Sequence, residues 1–320
     1  ARNGTWINGS ASASTTLNTS NHDTTVATGE SYAAGFSGED ADWQANFGQD
    51  SSFSGTSTAQ GNTDGSGEGD FYYAVPSGFK AICSANLPDP TIKLPNKHFD
   101  TLLWSGYTAD GRQITGLEFQ PDWVWWKARN TTNAQYLVDS IRGVDKQLRS
   151  EGTQAETNYS ERLESFISGG FTVGTDGDVQ HASNNYVAWN WNAGGSTATN
   201  NDGSVASQVR ANTSSGFSIV SYTGTGNATT FGHGLGVAPK IVFFKRRSDT
   251  EDWFVYTKLI DDSLDYFKLN TSEGKTDSGW STLINSSSVL TMEGNSSAVN
   301  GSGATYIAYC FSEVAGYSKF

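Results

Sequence analysis

Cysteine is nearly missing from this chain: Cys83 and Cys310 are the only two in 320 residues. Two cysteines make no disulfide framework, and because these fall in different modules they are expected to be free thiols. Charged residues are also scarce, at 17% of the chain. No apolar run reaches the ~18 residues that a helical membrane span requires, so no such span is expected. Residues typical of helical proteins (Ala, Leu, Glu, Lys) are too few to support one. Motifs that carry common chemistries are absent too. There is no Gly-x-Ser-x-Gly elbow, no His-Glu-x-x-His helix, no Walker loop and no Cys-x-x-Cys pair. The four histidines, His22, His98, His181 and His233, are scattered, with no Cys, His or carboxylate at ligand spacing. Catalytic residues, cofactor ligands and metal ligands are therefore expected to be none.

What the chain does have is 36 Gly, 10 Trp, 13 Tyr and 17 Phe in a background of Ser, Thr and Asn. Aromatic strands joined by polar, uncharged turns have this composition, so the class is all-β. The formal net charge is −13, which would repel a polyanion, so no nucleic-acid partner is expected. The chain opens at Ala1 with neither an initiator Met nor a signal peptide, as expected of a processed chain or of a piece of a longer protein.

Residues 1–75 read as short strands (Thr5–Ile7, Tyr32–Phe36, Trp43–Phe47, Asp70–Val75) between polar stretches such as Ser10–Ser20 and Ser51–Gly69. Pro88, Pro90 and Pro95 then mark an extended linker. Beyond it one module occurs twice, over residues 98–195 and 216–320. Phe99, Trp104 and Gly106 recur as Phe217, Tyr222 and Gly224, displaced by 118. The segment Gly116–Arg129 matches Gly234–Arg247 at the same displacement, with six of fourteen positions identical. Tyr186–Trp191 matches Tyr306–Phe311 at a displacement of 120. Three anchors in one order identify a tandem duplication, with domains expected at 1–87, 88–199 and 200–320. A second linker is expected from Ala193 to Gly203.

The period-2 pattern, constrained by two copies, predicts the faces of the last strand. Val187, Trp189 and Trp191 align with Ile307, Tyr309 and Phe311, and are expected on the core face. Tyr186, Ala188 and Asn190, with Tyr306, Ala308 and Cys310, are expected on the less buried face, which makes Cys310 a structural thiol rather than a nucleophile. The middle strand is apolar on both faces until Lys127 and Arg129, or Lys245 and Arg247, which fits a central strand. Each repeat is then expected to be an antiparallel sandwich or jelly roll. Asp139–Ser165, with Ile141, Val144, Leu148 and Leu163 among charges, has the pattern of one or two short helices.

The repeated Gly-Leu-x-Φ-x-Pro-x-Φ-Val-aromatic-aromatic-Lys-x-Arg pattern and the closing Tyr306–Phe320 segment resemble a tandem domain of unknown function found in tail fibre and other virion proteins of marine bacteriophages, over residues 88–320. Ala1–Trp6, Trp43–Gln49 and Pro76–Ala81 resemble the second half of a SPRY domain, a concanavalin-like β-sandwich. The resemblance implies a partial concanavalin-like sandwich ahead of the repeats, a virion location outside the cell and contact with a host. It supplies no catalytic residues.

Among individual residues, aromatics are the best candidates for a binding surface, because a ring face stacks on a sugar. Positions aromatic in both copies are assigned to packing, which leaves Trp253 and Trp280 as the candidate surface-binding residues. Lys127, Arg129, Lys245 and Arg247 are read first as strand ends reaching water, and second as partners for acids across an oligomer interface. Glu39-Asp40-x-Asp42 and Asp176-Gly177-Asp178 carry paired carboxylates, but a loop Asp-x-Asp supplies only part of a Ca²⁺ shell, and spacing alone does not build a glycosidase pair. The expected function is a non-enzymatic virion structural protein, a tail fibre or appendage subunit. Its expected partners are itself, with a homotrimer as the family-level expectation, other virion proteins and a host-surface glycan; no membrane partner is expected. The alternative is a secreted lectin-like protein that binds or cleaves glycans.

Overall fold

The computed structural model describes residues 46–87 and 90–320. Two compact units divide the chain, 1–89 and 90–320. The readings for Thr5–Ile7, Tyr32–Phe36 and Trp43–Ala45, and most of the SPRY-like pattern, lie outside the described residues. In the described part of the first unit, Asp70–Val75 and Pro76–Ala81 do not form strands; one isolated bridge joins Asn62 and Phe71. Order here comes from side chains that replace a ladder. Asp64 accepts hydrogen bonds from the amides of Ser66, Glu68 and Ala81 and from Asn86 Nδ2. The Ala81 amide leads in holding its carboxyl down at about 2.

The second unit is built from antiparallel sheets, as the aromatic alternating runs require. The first repeat supplies β1 (Phe99–Ser105), β2 (Arg112–Thr115), β3 (Trp123–Ala128), β4 (Tyr136–Asp139), β5 (Lys146–Arg149), β6 (Thr157–Asn158), β7 (Leu163–Ile167), β8 (Gly170–Val173), the single-turn α1 (Gly177–Gln180) and β9 (Asn185–Trp191). A hairpin follows, β10 (Ala198–Asn200) and β11 (Ser207–Asn212). The second repeat supplies β12 (Phe217–Thr223), β13 (Thr229–Gly232), β14 (Ile241–Arg246), β15 (Trp253–Thr257), β16 (Asp265–Lys268), β17 (Thr276–Asp277), β18 (Val289–Met292) and β19 (Thr305–Phe311).

The large sheets have the same topology. One runs β1-β9-β3-β4-β5-β6, and the other runs β12-β19-β14-β15-β16-β17 with β11 and β10 added beyond β12. Each is backed by a small sheet, β2-β8-β7 in the first repeat and β13-β18 in the second. The fold is an all-β set of stacked antiparallel layers. The segment after Asp139, whose spacing resembles a helix, instead forms β5, β6 and turns; Leu148 faces inward from β5 and Val144 packs from the turn before it.

The duplication extends to individual hydrogen bonds. Tyr186 Oη donates to Gly177 O at 2.8 Å and accepts from the His181 amide at 2.9 Å. Tyr306 Oη does the same with Ser297 O and the Gly301 amide, both at 2.8 Å. Trp104 stacks on Tyr186 at 5.2 Å and Tyr222 on Tyr306 at 5.3 Å. Glycine recurs at 106 and 224 because a Cβ there would fall 1.9 Å from His181 O and 2.5 Å from Gly301 O.

Three cores hold the layers together. One lies between the small and large sheets of the first repeat, with Trp126, Tyr136, Phe171 and Tyr186. Its counterpart in the second repeat contains Tyr222, Phe231, Phe244 and Tyr306. The third lies between the two large sheets and joins Trp123, Leu137 and Leu148 to Phe217, Ile219, Trp253, Ile307 and Tyr309. Because both faces of each large sheet are covered, the expected face assignment is corrected. Tyr186, Ala188 and Asn190 are fully buried against the small sheet, whereas Val187, Trp189 and Trp191 are half-buried. In β19 both faces are buried, and Cys310 is enclosed beside Tyr306 and Ala308. Burial pushes its thiol up to about 12, as befits a structural cysteine.

Candidate functional site

In the second unit, polar side chains gather in a charged seam between the large sheets and in a cleft at one end of the first repeat. The seam occupies the rim of the shared core. Arg142, just beyond β4, is fully buried. Its guanidinium pairs with Asp139, donates to Leu137 O at 3.1 Å, and donates to Tyr309 Oη of the other repeat at 3.1 Å. Tyr309 in turn donates to Asp139 Oδ2 at 2.8 Å. Glu156 sits between Arg142 (3.3 Å) and Arg247, which grips both its oxygens at 2.8 and 3.0 Å. Burial alone would raise the Glu156 carboxyl, but the two arginines together hold it below its usual value. A bidentate, half-desolvated pair of this kind fixes orientation as well as contributing energy.

The seam corrects two expectations. Lys245 does not surface at its strand end: it is buried, donating from Nζ to Thr153 O at 3.0 Å and to Glu251 O at 2.6 Å. Desolvation lowers its pKa to about 8. Lys245 and Arg247 do meet partners across an interface, but that interface lies inside one chain. Their first-repeat equivalents differ, Lys127 being half-buried and Arg129 exposed. Trp253 is likewise not a surface platform. It is 0% exposed in the shared core, with Nε1 donating to Arg149 O at 2.7 Å. No sugar can reach it, because the first repeat covers its ring. Trp280 is half-buried, its inner side packed on the second-repeat core.

The cleft, of about 480 Å³, is lined by Thr131, Asn133, Asp176, Asp178, His181 and Ser183, among others. The loop after β3 and the turn α1 form its walls. Asp176 caps α1 by accepting the Asp178 amide at 2.8 Å. Arg162 donates to Asp176 at 3.1 Å and to Asp178 at 2.6 Å. Asp178 also accepts from Tyr136 Oη at 2.6 Å and Asn133 Nδ2 at 2.8 Å. Arg162 itself lies over the rings of Tyr136 and Tyr159, at 4.1 and 4.0 Å. The Asp-Gly-Asp pair is thus engaged in holding the turn. His181 Nδ1 lies 2.9 Å from Ser183 Oγ, a Ser–His contact in which, among the described residues, no carboxylate meets Nε2 to orient the ring.

The remaining described histidines also have structural partners. His233 is buried, its ring bridging the Leu235 amide and Ser286 O, and burial lowers its pKa. His98 meets Asn212 across the repeats at 3.0 Å. His22 and the Glu39–Asp42 carboxylates lie outside the described residues. The sequence reading missed the Asp139–Arg142–Glu156 set. Its one local signal is Asp139, a carboxylate ending the buried run Tyr-Leu-Val-Asp of β4.

A family described as Domain of unknown function (DUF7483) matches residues 94–320. The chain belongs to this family. The DUF7483 match spans both repeats, the hairpin β10–β11 and the seam, so the family unit is the repeat pair rather than one copy. The shared core gives the reason: a DUF7483 repeat taken alone would expose Trp123 or Tyr309 together with half of a charge cluster. No curated protein and no solved structure matches the chain.

Proposed function

We propose that the chain is a non-enzymatic structural subunit of a bacteriophage virion, part of a tail fibre or appendage outside the cell. In this reading it assembles as a homo-oligomer, with a trimer expected, beside other virion proteins. The observation that carries the reading is the seam. Arg142, Glu156, Arg247, Lys245 and Trp253 spend their polar atoms on joining two β-layers into one stiff body. Building a rigid display element uses charge in this way, whereas catalysis needs groups free to exchange protons with a substrate. The sequence resemblance to virion proteins, including the SPRY-like segment, supports the same reading. Mass spectrometry of purified virions tests it: the chain should appear as a stoichiometric particle component, and its consistent absence from particles would refute the proposal.

A second reading, of a secreted lectin-like glycan binder, draws on the open cleft between Thr131 and Ser183 and on the exposed side of Trp280. The cleft presents hydroxyl, amide and carboxylate groups in a concave wall, the polar part of a sugar site. A glycan array separates the readings: retention of a defined glycan, lost on Asn133→Ala or Trp280→Ala, favours the binder.

A further inference from the structure

Strands β16 and β17 form the outer edge of the eight-stranded sheet, and their pairing sets Asp265 directly opposite Asp277. Like charges at directly opposed positions repel, so this register needs a cation to hold it. Asp261, from the loop after β15, brings a third carboxylate, and one oxygen of each lies within 4.8 Å of the others. Lys275, just before β17, puts Nζ among them, at 2.5 Å from Asp261, 2.9 Å from Asp277 and 3.3 Å from Asp265. One ammonium against three carboxylates leaves a net charge of −2.

A separate observation concerns Asp265 alone. Its side chain is 0% exposed, and its Oδ2 has no hydrogen-bond partner. A buried carboxylate oxygen without a donor costs several kcal/mol unless something positive reaches it. Lys275 does not meet that need, because its contact is with Oδ1 and is the longest of its three.

We propose that Asp261, Asp265 and Asp277 form a binding site for a hard divalent cation of the Ca²⁺ class, which displaces Lys275 from their centre. The donor set is oxygen only, with the Ser263 hydroxyl, 3.4 Å from Asp265 Oδ1, as a further neutral ligand. Among the described residues no His or Cys joins the group, which selects against Zn²⁺ and for a cation that accepts carboxylates, a hydroxyl and water. A +2 ion cancels the −3 of the carboxylates better than +1 does, and the lysine's four-carbon stem lets its head swing to solvent. Because the cation must expel the lysine, the affinity belongs in the weak range, on the order of 0.1–1 mM.

Calorimetric titration of the full chain with CaCl₂, after EDTA treatment and its removal, tests the proposal. The wild-type chain should take up one equivalent, Lys275→Met should bind at least tenfold more tightly, and adding Asp277→Asn or Asp261→Asn to Lys275→Met should abolish binding. If Lys275→Met is unfolded in EDTA by far-UV circular dichroism, Ca²⁺ should restore its spectrum. A folded Lys275→Met that takes up no Ca²⁺, an unfolded one that Ca²⁺ does not rescue, or uptake indifferent to the aspartate substitutions overturns the proposal.

Discussion

Trp123 of the first repeat stacks on Tyr309 of the second with ring centroids 4.1 Å apart and planes 13° from parallel. These two rings occupy the middle of the shared core, with Trp191, Phe217 and Phe311 around them. The tandem duplication therefore does more than repeat a module, because each copy supplies the cover for the other's outer sheet face. Trp123→Ala should lower stability by about 3–5 kcal/mol through lost burial and a cavity. Urea unfolding followed by tryptophan fluorescence and circular dichroism should show one cooperative transition moving to lower denaturant. Unfolding of the first repeat alone, with the second unchanged, would contradict the shared core.

Removing one partner from the seam should cost more than removing the whole seam. Arg142→Met leaves Asp139 buried without its counter-charge and should destabilise by about 3–5 kcal/mol. The triple change Arg142→Met, Asp139→Leu, Tyr309→Phe should recover a large part of that loss. Chemical denaturation of the three chains checks the order.

Lys245 predicts an alkaline effect with a defined sign. Its folded pKa is about 8 against the ordinary lysine value of 10.5, lowered by burial. Between those values the unfolded chain binds more protons than the folded one, so the Lys245 contribution to stability rises with pH. It is fully present above 10.5 and is lost as pH falls through about 8. The difference in unfolding free energy between wild type and Lys245→Met, measured from pH 7 to 10.5, should change in that direction.

Asp122 predicts the opposite slope in acid. Its carboxyl is raised to about 6, chiefly by desolvation, which the Arg210 guanidinium at 2.9 Å only partly offsets. The folded chain binds the extra proton between the ordinary value near 3.8 and 6, so this group's contribution is present below 3.8 and lost as pH rises through about 6. Asp122→Asn should flatten that component of the stability profile, as read by urea midpoints from pH 3.5 to 7.

The two candidate tryptophans should separate cleanly. Trp253→Ala removes a fully buried ring and the hydrogen bond to Arg149 O, and should cost about 3–5 kcal/mol. Trp280→Ala should cost less, because its ring is only half-buried. Thermal melts of both variants under one buffer condition give the comparison.

Much of this arrangement is legible in the sequence. Composition alone separates β from helix, and the 118- and 120-residue displacements align β1, β3 and β9 with β12, β14 and β19. Packing is also the right reading for the aromatics that recur in both copies. The segment after Asp139 misleads because short strands separated by turns can space Ile141, Val144 and Leu148 as a helix would. Side-chain period reports which residues share a face, and it is silent on what that face meets. For that reason Trp253 resembles a free ring when only its own repeat is considered.

The sequence by itself determined the all-β class, the duplication and the alternation of side chains along each strand, because all three depend on local backbone preference and on a pattern copied twice. Only the tertiary structure decided that the face of β9 expected to be less buried is the enclosed one, that both faces of β19 are covered, that Lys245 and Arg247 reach back into the first repeat, and that Asp265 is sealed opposite Asp277. Those outcomes depend on which layer stacks on each sheet face and on the register in which β16 meets β17, and no local period encodes which surface a second layer will cover.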